Sequence, residues 1–442
     1  MRNTFTSFHG ILFWMILLLI SCLSFLSSVQ AVNFPCPAPP ASGTKAFSLD
    51  EGWSAHTEYQ KSWYWVVGSL CIFPESILAD LGGKCTNVLG FEVAITIFNA
   101  STTLISQLHL SVINKQTHYS QVLTGVPEVS SSITGSSFDL GFISPTATAS
   151  FTLVLGFPGT VGSLYRLDLT SPNLTISLLL QNQNPSMYHG NGGYMHIAEQ
   201  SPNICSSNYY ISMARLLTLG NMVLNGKTLL VSGTSWMDSQ WTGAGPAFLK
   251  GWITSFFHIG TNNVMVYLLF LDGLKLLYNS STVEIQDLFG TVTSGKITGF
   301  NLLSTWTSPI STAVYPTDLI VFTTIPSISQ IHIYVDPCTP YFQNQELAYG
   351  KNFSSSYWEG AVLMETLSSQ NKLGFVPASN GYLELQGFLG QAIHLTPTPS
   401  PIHSSSCSSS KETNSISSSA YLKINYLTIM GCLLFGFFLI SV

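Results

Sequence analysis

Asp238 lies between two tryptophans in the segment Ser235–Trp241, in a chain where only 8% of residues are charged. A buried carboxylate costs several kcal/mol unless it is paired, hydrogen-bonded or protonated. Desolvation by Trp236 and Trp241 would raise the pKa of Asp238 and keep a proton available near neutral pH. The alternative is a surface carboxylate at a strand end, beside tryptophans of an ordinary core. Asp238, with Trp236 beside it, is therefore the candidate catalytic acid.

Such an acid could protonate a carbon–carbon double bond and form a carbocation that aromatic faces stabilise. Addition of water would then give a tertiary alcohol, and loss of a different proton would give an isomer. The same pocket could instead fold a polyene for a pericyclic cyclisation, or carry an apolar ligand without reaction. The side chains predicted to contact the ligand are Trp63, Trp65, Tyr209, Tyr210, Gln240, Trp241 and Trp358.

His189 is the third candidate catalytic residue, and it lies in the glycine-rich segment Tyr188–Tyr194. It could act as a base or position a water molecule; the alternative is a turn residue bonded to the backbone. Glu359 could also serve the pocket, although a strand-end acid in water is the simpler interpretation. The chain has no Cys-x-x-Cys or His-x-His pattern. The sequence therefore predicts no metal site and no cofactor.

The elements that must position these residues are strands. Segments such as Phe91–Phe98 and Ile331–Val335 alternate apolar and polar residues, which is typical of β-structure. Asn225-Gly226 predicts a two-residue hairpin turn. On strands, Tyr209 and Tyr210 must point to opposite faces, whereas Trp63 and Trp65 share one. Many short strands with hairpin signals indicate an all-β fold of antiparallel barrels or sandwiches.

Both ends of the chain carry targeting patterns. Residues 1–31 resemble a signal peptide, followed by a linker over 32–48. A Ser/Pro-rich stalk is predicted over 393–419, and residues 420–442 resemble a glycosylphosphatidylinositol-anchor signal with Ser417 as the attachment residue. The expected location is the extracellular face of the plasma membrane. The alternatives are a single C-terminal transmembrane helix or secretion.

Extracellular exposure agrees with the remaining composition. Sequons predict glycosylation at Asn99, Asn173, Asn279 and Asn352. Of 8 cysteines, Cys71 and Cys85 bracket one polar excursion and are the predicted disulfide pair. The formal charge of −6 and the lack of a basic run exclude nucleic acid as a partner. The expected partners are an apolar small molecule and, through the lipid anchor, a membrane.

A series of motifs, taken in order, resembles the carotenoid 1,2-hydratase (hydroxyneurosporene synthase) and AttH-like secreted protein family, which also includes fungal Diels–Alderases. The motifs are Ser62–Trp65, Leu89–Phe98, Tyr188–Gly190, Gly193-Tyr194, Tyr209–Ser212, Arg215-Leu216, Val231–Trp241, Trp306–Pro309, Tyr315-Pro316, Tyr357–Val362 and Gly381–Leu385.

The resemblance implies two packed lipocalin-like β-barrels, with domains over 49–243 and 244–392, and an apolar pocket. It also implies that Asp238 is the residue that protonates a polyene. Gln240 stands where family members usually carry an acid, and Lys61 replaces an acidic or polar neighbour of the aromatic strand. The expected activity is that of a hydro-lyase or of an isomerase or cyclase. The alternative is a non-catalytic lipid carrier or surface protein.

Overall fold

The computed structural model describes residues 35–73, 88–98, 101–112, 115–129, 139–197, 205, 207–243, 250–271, 274–308, 311–335, 357–369, 375–377 and 381–388. The predicted signal peptide, the stalk and the anchor segment with Ser417 lie outside these residues, as do Asn99 and Asn352. No helix within the described ranges is long and apolar enough to cross a membrane. The described chain is nearly all β-strand, which confirms the predicted fold class.

The first half of the chain forms a curled twelve-stranded antiparallel sheet, in the order β10-β11-β12-β1-β2-β3-β4-β5-β6-β7-β8. β9 also pairs with β11, and β8 pairs back with β11. Its strands are β1 (Lys61–Phe73), β2 (Val88–Phe98), β3 (Ser101–Val112), β4 (Lys115–Val129), β5 (Asp139–Ile143), β6 (Thr148–Leu155), β7 (Leu164–Thr170), β8 (Leu174–Asn182), β9 (Met187–Tyr188), β10 (Tyr194–His196), β11 (Ser207–Leu224) and β12 (Lys227–Thr242).

The second half forms a closed eight-stranded barrel, in the order β13-β22-β20-β19-β18-β17-β16-β14, which a β13–β14 pairing completes. The short strands β15 and β21 pair with β14 and β20. The strands are β13 (Gly251–Ile259), β14 (Asn262–Leu271), β15 (Lys275–Leu276), β16 (Thr282–Gln286), β17 (Val292–Thr307), β18 (Val314–Thr323), β19 (Gln330–Tyr334), β20 (Tyr357–Leu367), β21 (Val376–Pro377) and β22 (Gly381–Gln386), with a 3-10 turn at Pro326–Ile328.

Alternating burial explains why these segments are strands. In β8, buried and half-buried residues alternate along the whole strand, as expected when one face covers a core. The turn between β11 and β12 is Asn225-Gly226, with φ angles of 50° and 77°. Positive φ at both central residues is what the tight hairpin needs. The predicted hairpin is therefore confirmed.

Three clusters of buried side chains hold the described chain from Cys36 onward in one compact unit. One cluster lies inside the curled sheet and one inside the barrel. The third lies between them and is rich in aromatic residues and methionine. Its members include Trp65, Met187, Tyr210, Trp236, Phe256 and Tyr382. Packing between the two sheets therefore buries the outer face of β1, β11 and β12.

The segment before β1 covers the end of the curled sheet. It contains the short helix α1 (Leu49–Gly52), whose first turn is capped by the Ser48 hydroxyl accepting the Glu51 N–H. A disulfide between Cys36 and Cys205 ties this segment to the start of β11. Phe47 inserts into the core beside Trp241, with ring centroids 4.7 Å apart. The segment is therefore held both covalently and by packing.

Two further predictions concern covalent modification. Cys71 is disulfide-bonded, but Cys85 lies outside the described residues, so their pairing stays a prediction. Asn173 and Asn279 are both exposed, in the β7–β8 turn and in the turn before β16. Both positions can accommodate a bulky surface glycan. Glycosylation itself stays a prediction.

Candidate functional site

Asp238 lies on β12, and the strand register places Ser212 of β11 and Trp65 of β1 directly opposite it on either side. Directly opposed residues project from the same face of a sheet. This face is turned toward the barrel, where the Phe256 ring lies 5.2 Å from Trp65 and 4.8 Å from Trp236. Asp238 is therefore enclosed between the two sheets.

The carboxyl group of Asp238 is fully buried, at 0% exposure, and receives three hydrogen bonds. Its Oδ1 accepts the hydroxyl of Ser212 and, at 2.6 Å, the indole N–H of Trp236. Its Oδ2 accepts the hydroxyl of Tyr210 at 2.9 Å. The alternative of a surface carboxylate at a strand end is therefore excluded, because water does not reach this group.

Burial raises the pKa of Asp238 from 3.8 to about 6. The nearby His189 and the hydrogen bonds from Ser212, Trp236 and Tyr210 lower this pKa, because they stabilise the carboxylate. Burial and the Asp238 charge raise the pKa of Tyr210 well above its usual value, so its hydroxyl remains a donor. At mildly acidic pH Asp238 can therefore hold a proton. Once it has released that proton, the three hydrogen bonds stabilise the carboxylate.

His189 follows β9 in a turn and is also fully buried. Its Nε2 lies 2.6 Å from the Ser212 hydroxyl oxygen, and its Nδ1 lies 2.6 Å from Oε2 of Glu284. Both ring nitrogens therefore contact side chains, which corrects the alternative of a turn histidine bonded to backbone. Glu284 belongs to β16, so the barrel supplies this partner. The backbone N–H of Gly190 donates to the other carboxyl oxygen of Glu284 at 2.8 Å.

The expectation that Trp236 and Trp241 both border Asp238 requires correction. Trp236 is two residues from Asp238 and shares its face, whereas Trp241 is three residues away and points to the other face. Trp241 packs inside the curled sheet with Phe47 and Tyr209. The Trp241 ring stacks on the ring of His56, with ring centroids 3.5 Å apart.

The other predicted ligand contacts divide in the same way. Tyr209 lies with Trp241 in the core of the curled sheet, and Trp358 lies in the core of the barrel. Trp63, Trp65 and Tyr210 belong to the group between the sheets. The structure therefore brings Trp63, Trp65 and Tyr210 to the face of Asp238 and separates Tyr209, Trp241 and Trp358 from it.

Gln240 shares the face of Asp238, two residues toward the end of β12. Its side-chain oxygen accepts the Asn208 amide at 2.9 Å, and Trp63 lies opposite it on β1. The ammonium group of Lys61 lies 4.5 Å from the centre of the Trp63 ring. Gln240 and Trp63 therefore form the polar and aromatic border of this site toward the strand end.

Carboxyl groups from both sheets form a second cluster beside Trp65. Oε1 of Glu92, on β2, accepts the Trp65 indole N–H at 2.9 Å. Burial and the nearby Glu92 and Glu384 raise the pKa of Glu359 well above its usual value. Glu359 is only 2% exposed, so the interpretation of a strand-end acid in water is wrong.

Sequence reasoning missed Ser212, Glu284 and Glu92. Ser212 follows Tyr210 by two residues and thus shares its face, a signal that was present in the predicted strand. Glu92 stands in the largely apolar strand β2, and Glu284 stands between Val283 and Ile285 in β16. A charged residue between apolar neighbours is the pattern of a buried polar group with a partner. Their partners come from distant parts of the chain, and local patterns carry no information about contacts of that range.

Two observations concern other kinds of site. Within the described residues, no group of His, Cys, Asp or Glu side chains has an arrangement that could hold a metal ion. An open depression of about 240 Å³ lies on the curled sheet and includes none of the predicted site residues. Its lining residues are Arg166, Ser177, Leu178, Leu179, Leu219, Gly220 and Asn221.

The chain matches the AttH-like family model over residues 144–388. This range contains His189, Ser212, Asp238 and Glu284. No curated protein sequence matches the chain.

Solved structures share the fold. A putative AttH from Nitrosomonas europaea has a TM-score of 0.58 and 20% identity, covering 79% of this chain and 99% of that one. Kievitone hydratase from Nectria haematococca has a TM-score of 0.56 and 13% identity, covering 81% and 99%. CghA has a TM-score of 0.50 and 10% identity, covering 76% and 90%.

Proposed function

The chain belongs to the AttH-like family, and we propose that it is a lipocalin-like enzyme that protonates a carbon–carbon double bond of an apolar small molecule, with Asp238 as the acid. The observation that carries this proposal is the fully buried Asp238 carboxyl, with its pKa near 6 and three hydrogen-bond donors. A linear isoprenoid or polyketide-like polyene is the proposed substrate class. Hydration or isomerisation is the proposed outcome.

The environment of Asp238 suits both protonation states. The neutral acid is favoured by burial between aromatic side chains, which keeps a proton available near neutral pH. After donation, Ser212, Trp236 and Tyr210 already point at the carboxylate and stabilise its charge without reorganisation. General acid catalysis of this kind contributes about 10²- to 10⁴-fold in rate.

Aromatic rings are available to stabilise the carbocation. Trp65 lies beside Asp238 in the register, Trp236 lies on the same face, and Phe256 of the barrel packs against both rings. Faces of indole rings attract positive charge at distances up to about 6 Å. One solved structure of similar fold is named as a hydratase, which agrees with water addition at such a cation, although likeness of fold alone does not carry an activity.

The proposed location of the protein is outside the cytoplasm. The Cys36–Cys205 disulfide supports this, because such bonds persist in oxidising compartments. We further propose the extracellular face of the plasma membrane and a glycosylphosphatidylinositol anchor. Release of the protein from intact cells by phosphatidylinositol-specific phospholipase C would support the anchor. Retention on the cells after this treatment would favour a transmembrane tail.

Deuterium incorporation tests the function even while the product is unidentified. The purified full chain is incubated in heavy water with linear isoprenoid alkenes, and with a lipid extract of the cells that produce it. Transfer of a proton to carbon labels the recovered molecule, which mass spectrometry detects. We expect labelling by the wild type and its loss in Asp238→Asn.

The matched control is Asp168→Asn, because Asp168 is a surface carboxylate paired with Arg166. This variant should incorporate deuterium into the small molecule as the wild type does. A ligand bound equally by the wild type and Asp238→Asn, and never labelled, would instead identify a carrier. An unlabelled cyclised product formed by both proteins would identify a pericyclic cyclase.

A further inference from the structure

Four buried side chains form a continuous hydrogen-bonded chain across the two sheets. Glu284 contacts His189 at 2.6 Å, His189 contacts Ser212 at 2.6 Å, and Ser212 contacts Asp238. Glu284 is 1% exposed and the other three are 0% exposed. Water is thus excluded from all four side chains, and each must find its hydrogen-bond partners among buried protein groups.

The Ser212 hydroxyl connects two titratable groups. It carries one hydrogen and can accept through its lone pairs, so it donates to one neighbour and accepts from the other. When it donates to an ionised Asp238, it accepts the Nε2–H of His189, which then carries protons on both nitrogens. When it donates to an unprotonated Nε2, it accepts the O–H of a neutral Asp238.

These two arrangements contain the same number of protons and the same heavy-atom contacts. They differ only in whether the mobile proton resides on His189 or on Asp238. In both, Nδ1–H of His189 points to the Glu284 carboxylate, so Glu284 fixes the tautomer in which Nε2 faces Ser212. The Gly190 N–H and the Ser294 hydroxyl, which lie 2.8 and 3.4 Å from Oε1 of Glu284, hold this carboxylate in place.

We propose that Ser212 relays a proton between His189 and Asp238, and that Glu284 is the positioning residue that orients His189 for this relay. The relay rests on the proposed function for its catalytic role. The mobile proton starts on Nε2 of His189. The Nε2 proton passes to Ser212 while the Ser212 proton passes to Asp238, which becomes the neutral acid. When Asp238 then gives this proton to carbon, the Asp238 O–H bond breaks and a C–H bond forms, and Nε2 of His189 is left without a proton.

The proton count closes over a full turnover. Water that adds to the carbocation releases one proton, and loss of a proton from carbon in an isomerisation does the same. That proton restores the one that His189 has given up, so no oxidant, reductant or metal is required. Because Glu284 belongs to the barrel and the other three residues to the curled sheet, the relay exists only where the two sheets pack together.

The groups that face this chain come from several elements. Tyr210 and Ser212 belong to β11, Trp236 to β12, His189 to the turn after β9, and Glu284 to β16. Tyr267 of β14 and Glu384 of β22 also act on Tyr210. Burial raises the pKa of Tyr210 and of Tyr267, which keeps both hydroxyls neutral in the working range. Asp238 and His189 are therefore the pair whose shared titration the experiment follows.

The first arm of the test needs no substrate. The pH dependence of the His189 Nε2 signal (¹⁵N NMR) and of the Asp238 carboxyl signal (¹³C NMR) is recorded on the full chain. In the wild type we expect both signals to follow the same two-step curve, as strongly interacting groups do. In Ser212→Ala the two curves should separate toward single steps, and Ser212→Thr should restore the shared curve. Unchanged coupling in Ser212→Ala would overturn the relay.

The second arm uses the deuterium-labelling rate. We expect Ser212→Ala to slow labelling by about 10²-fold or more, without lowering the ligand occupancy seen by native mass spectrometry. Ser212→Thr should recover the rate to within about tenfold. The double variant Ser212→Ala/His189→Gln should be no slower than the slower single variant, because both changes interrupt one path. Additive losses would indicate two independent structural effects and overturn the relay.

Ser239→Ala is the matched control, because Ser239 is equally buried on β12 but points to the opposite face from Asp238. Circular dichroism confirms that each variant is folded. Labelling that depends on Asp238 but not on Ser212 would refute the relay and leave the proposed function standing. Absence of labelling in the wild type, together with titration coupling that depends on Ser212, would refute the proposed function and leave the relay standing.

Discussion

The indole N–H of Trp236 donates to Oδ1 of Asp238 at 2.6 Å, from a position two residues earlier on the same strand. Alternation along β12 gives these two side chains one face and sends Trp241 to the other. Two tryptophans that look equivalent in the sequence therefore have different surroundings. Trp236 acts on the candidate acid, and Trp241 packs against Phe47 and Tyr209.

Substitution of the two tryptophans should separate these roles. Trp236→Phe removes a hydrogen bond to the carboxylate, so the pKa of Asp238 should rise above its value of about 6. Trp241→Phe should leave that pKa unchanged and lower the free energy of unfolding through lost packing. The pKa is measured from the ¹³C signal of the Asp238 carboxyl. An equal pKa change in both variants would contradict the assignment of faces.

The stability of the protein should depend on pH through Asp238. Burial raises its folded-state pKa from 3.8 to about 6, so the native state binds a proton that the unfolded state has already lost. Unfolding free energy should therefore decrease as pH rises from about 4 to about 6, by about 3 kcal/mol, and stay level above that range. Asp238→Asn should remove this decrease.

Urea unfolding between pH 4 and pH 8 measures the effect of Asp238, and Asp168→Asn serves as the control. Because Asp168 lies at the surface beside Arg166, its substitution should leave the slope of unfolding free energy against pH unchanged. An identical slope in the wild type and Asp238→Asn would show that other groups cause the pH dependence.

Gly190 should be the critical glycine of the site. Its φ of 61° lies in the left-handed region, and an added Cβ would lie 2.5 Å from the Tyr194 carbonyl oxygen. We expect Gly190→Ala to cost about 3 kcal/mol or more of unfolding free energy and to disturb the N–H contact with Glu284. Gly226 is the matched control, since its φ is 77° and no atom lies within 4 Å of an added Cβ.

Gly226→Ala should cost only about 1 kcal/mol, because it introduces backbone strain without a clash. Thermal and urea unfolding of both variants provide the comparison. Equal losses in the two variants would mean that backbone conformation alone, and not the close approach of Tyr194, makes Gly190 necessary.

His332, on β19 of the barrel, should give the stability of the protein a second dependence on pH. Burial alone would lower its pKa, but hydrogen bonds and charge from Asp318 and Glu365 outweigh burial and raise the pKa to about 9. Its contribution to stability is therefore complete below about pH 6.5 and is lost as pH rises toward 9. We expect a loss of about 1–2 kcal/mol, since solvent screens the carboxylates in part.

His332→Gln should flatten the stability curve between pH 6.5 and pH 9. The exposed His196 offers the control substitution His196→Gln. Unfolding by urea across this range distinguishes the variants. A loss of stability above pH 6.5 that persists in His332→Gln would assign the effect to another group.

Local sequence was sufficient to predict the strands and the faces of neighbouring side chains. The alternation in Phe91–Phe98 and Ile331–Val335 predicted β2 and β19, and Asn225-Gly226 predicted the β11–β12 hairpin, because these signals depend on backbone geometry over a few residues. The opposite orientations of Tyr209 and Tyr210, and the shared face of Trp63 and Trp65, followed from the same period of two.

The sequence by itself determined an all-β chain with a carboxylate, Asp238, among aromatic residues, because residue type and alternation are local properties. Only the tertiary structure decided which face of β12 meets the barrel, and thus that Trp236 and not Trp241 borders Asp238. It also supplied Glu284 from β16 as the partner of His189. These relationships arise from strand register and from the packing of one sheet against another, which join residues far apart in the chain.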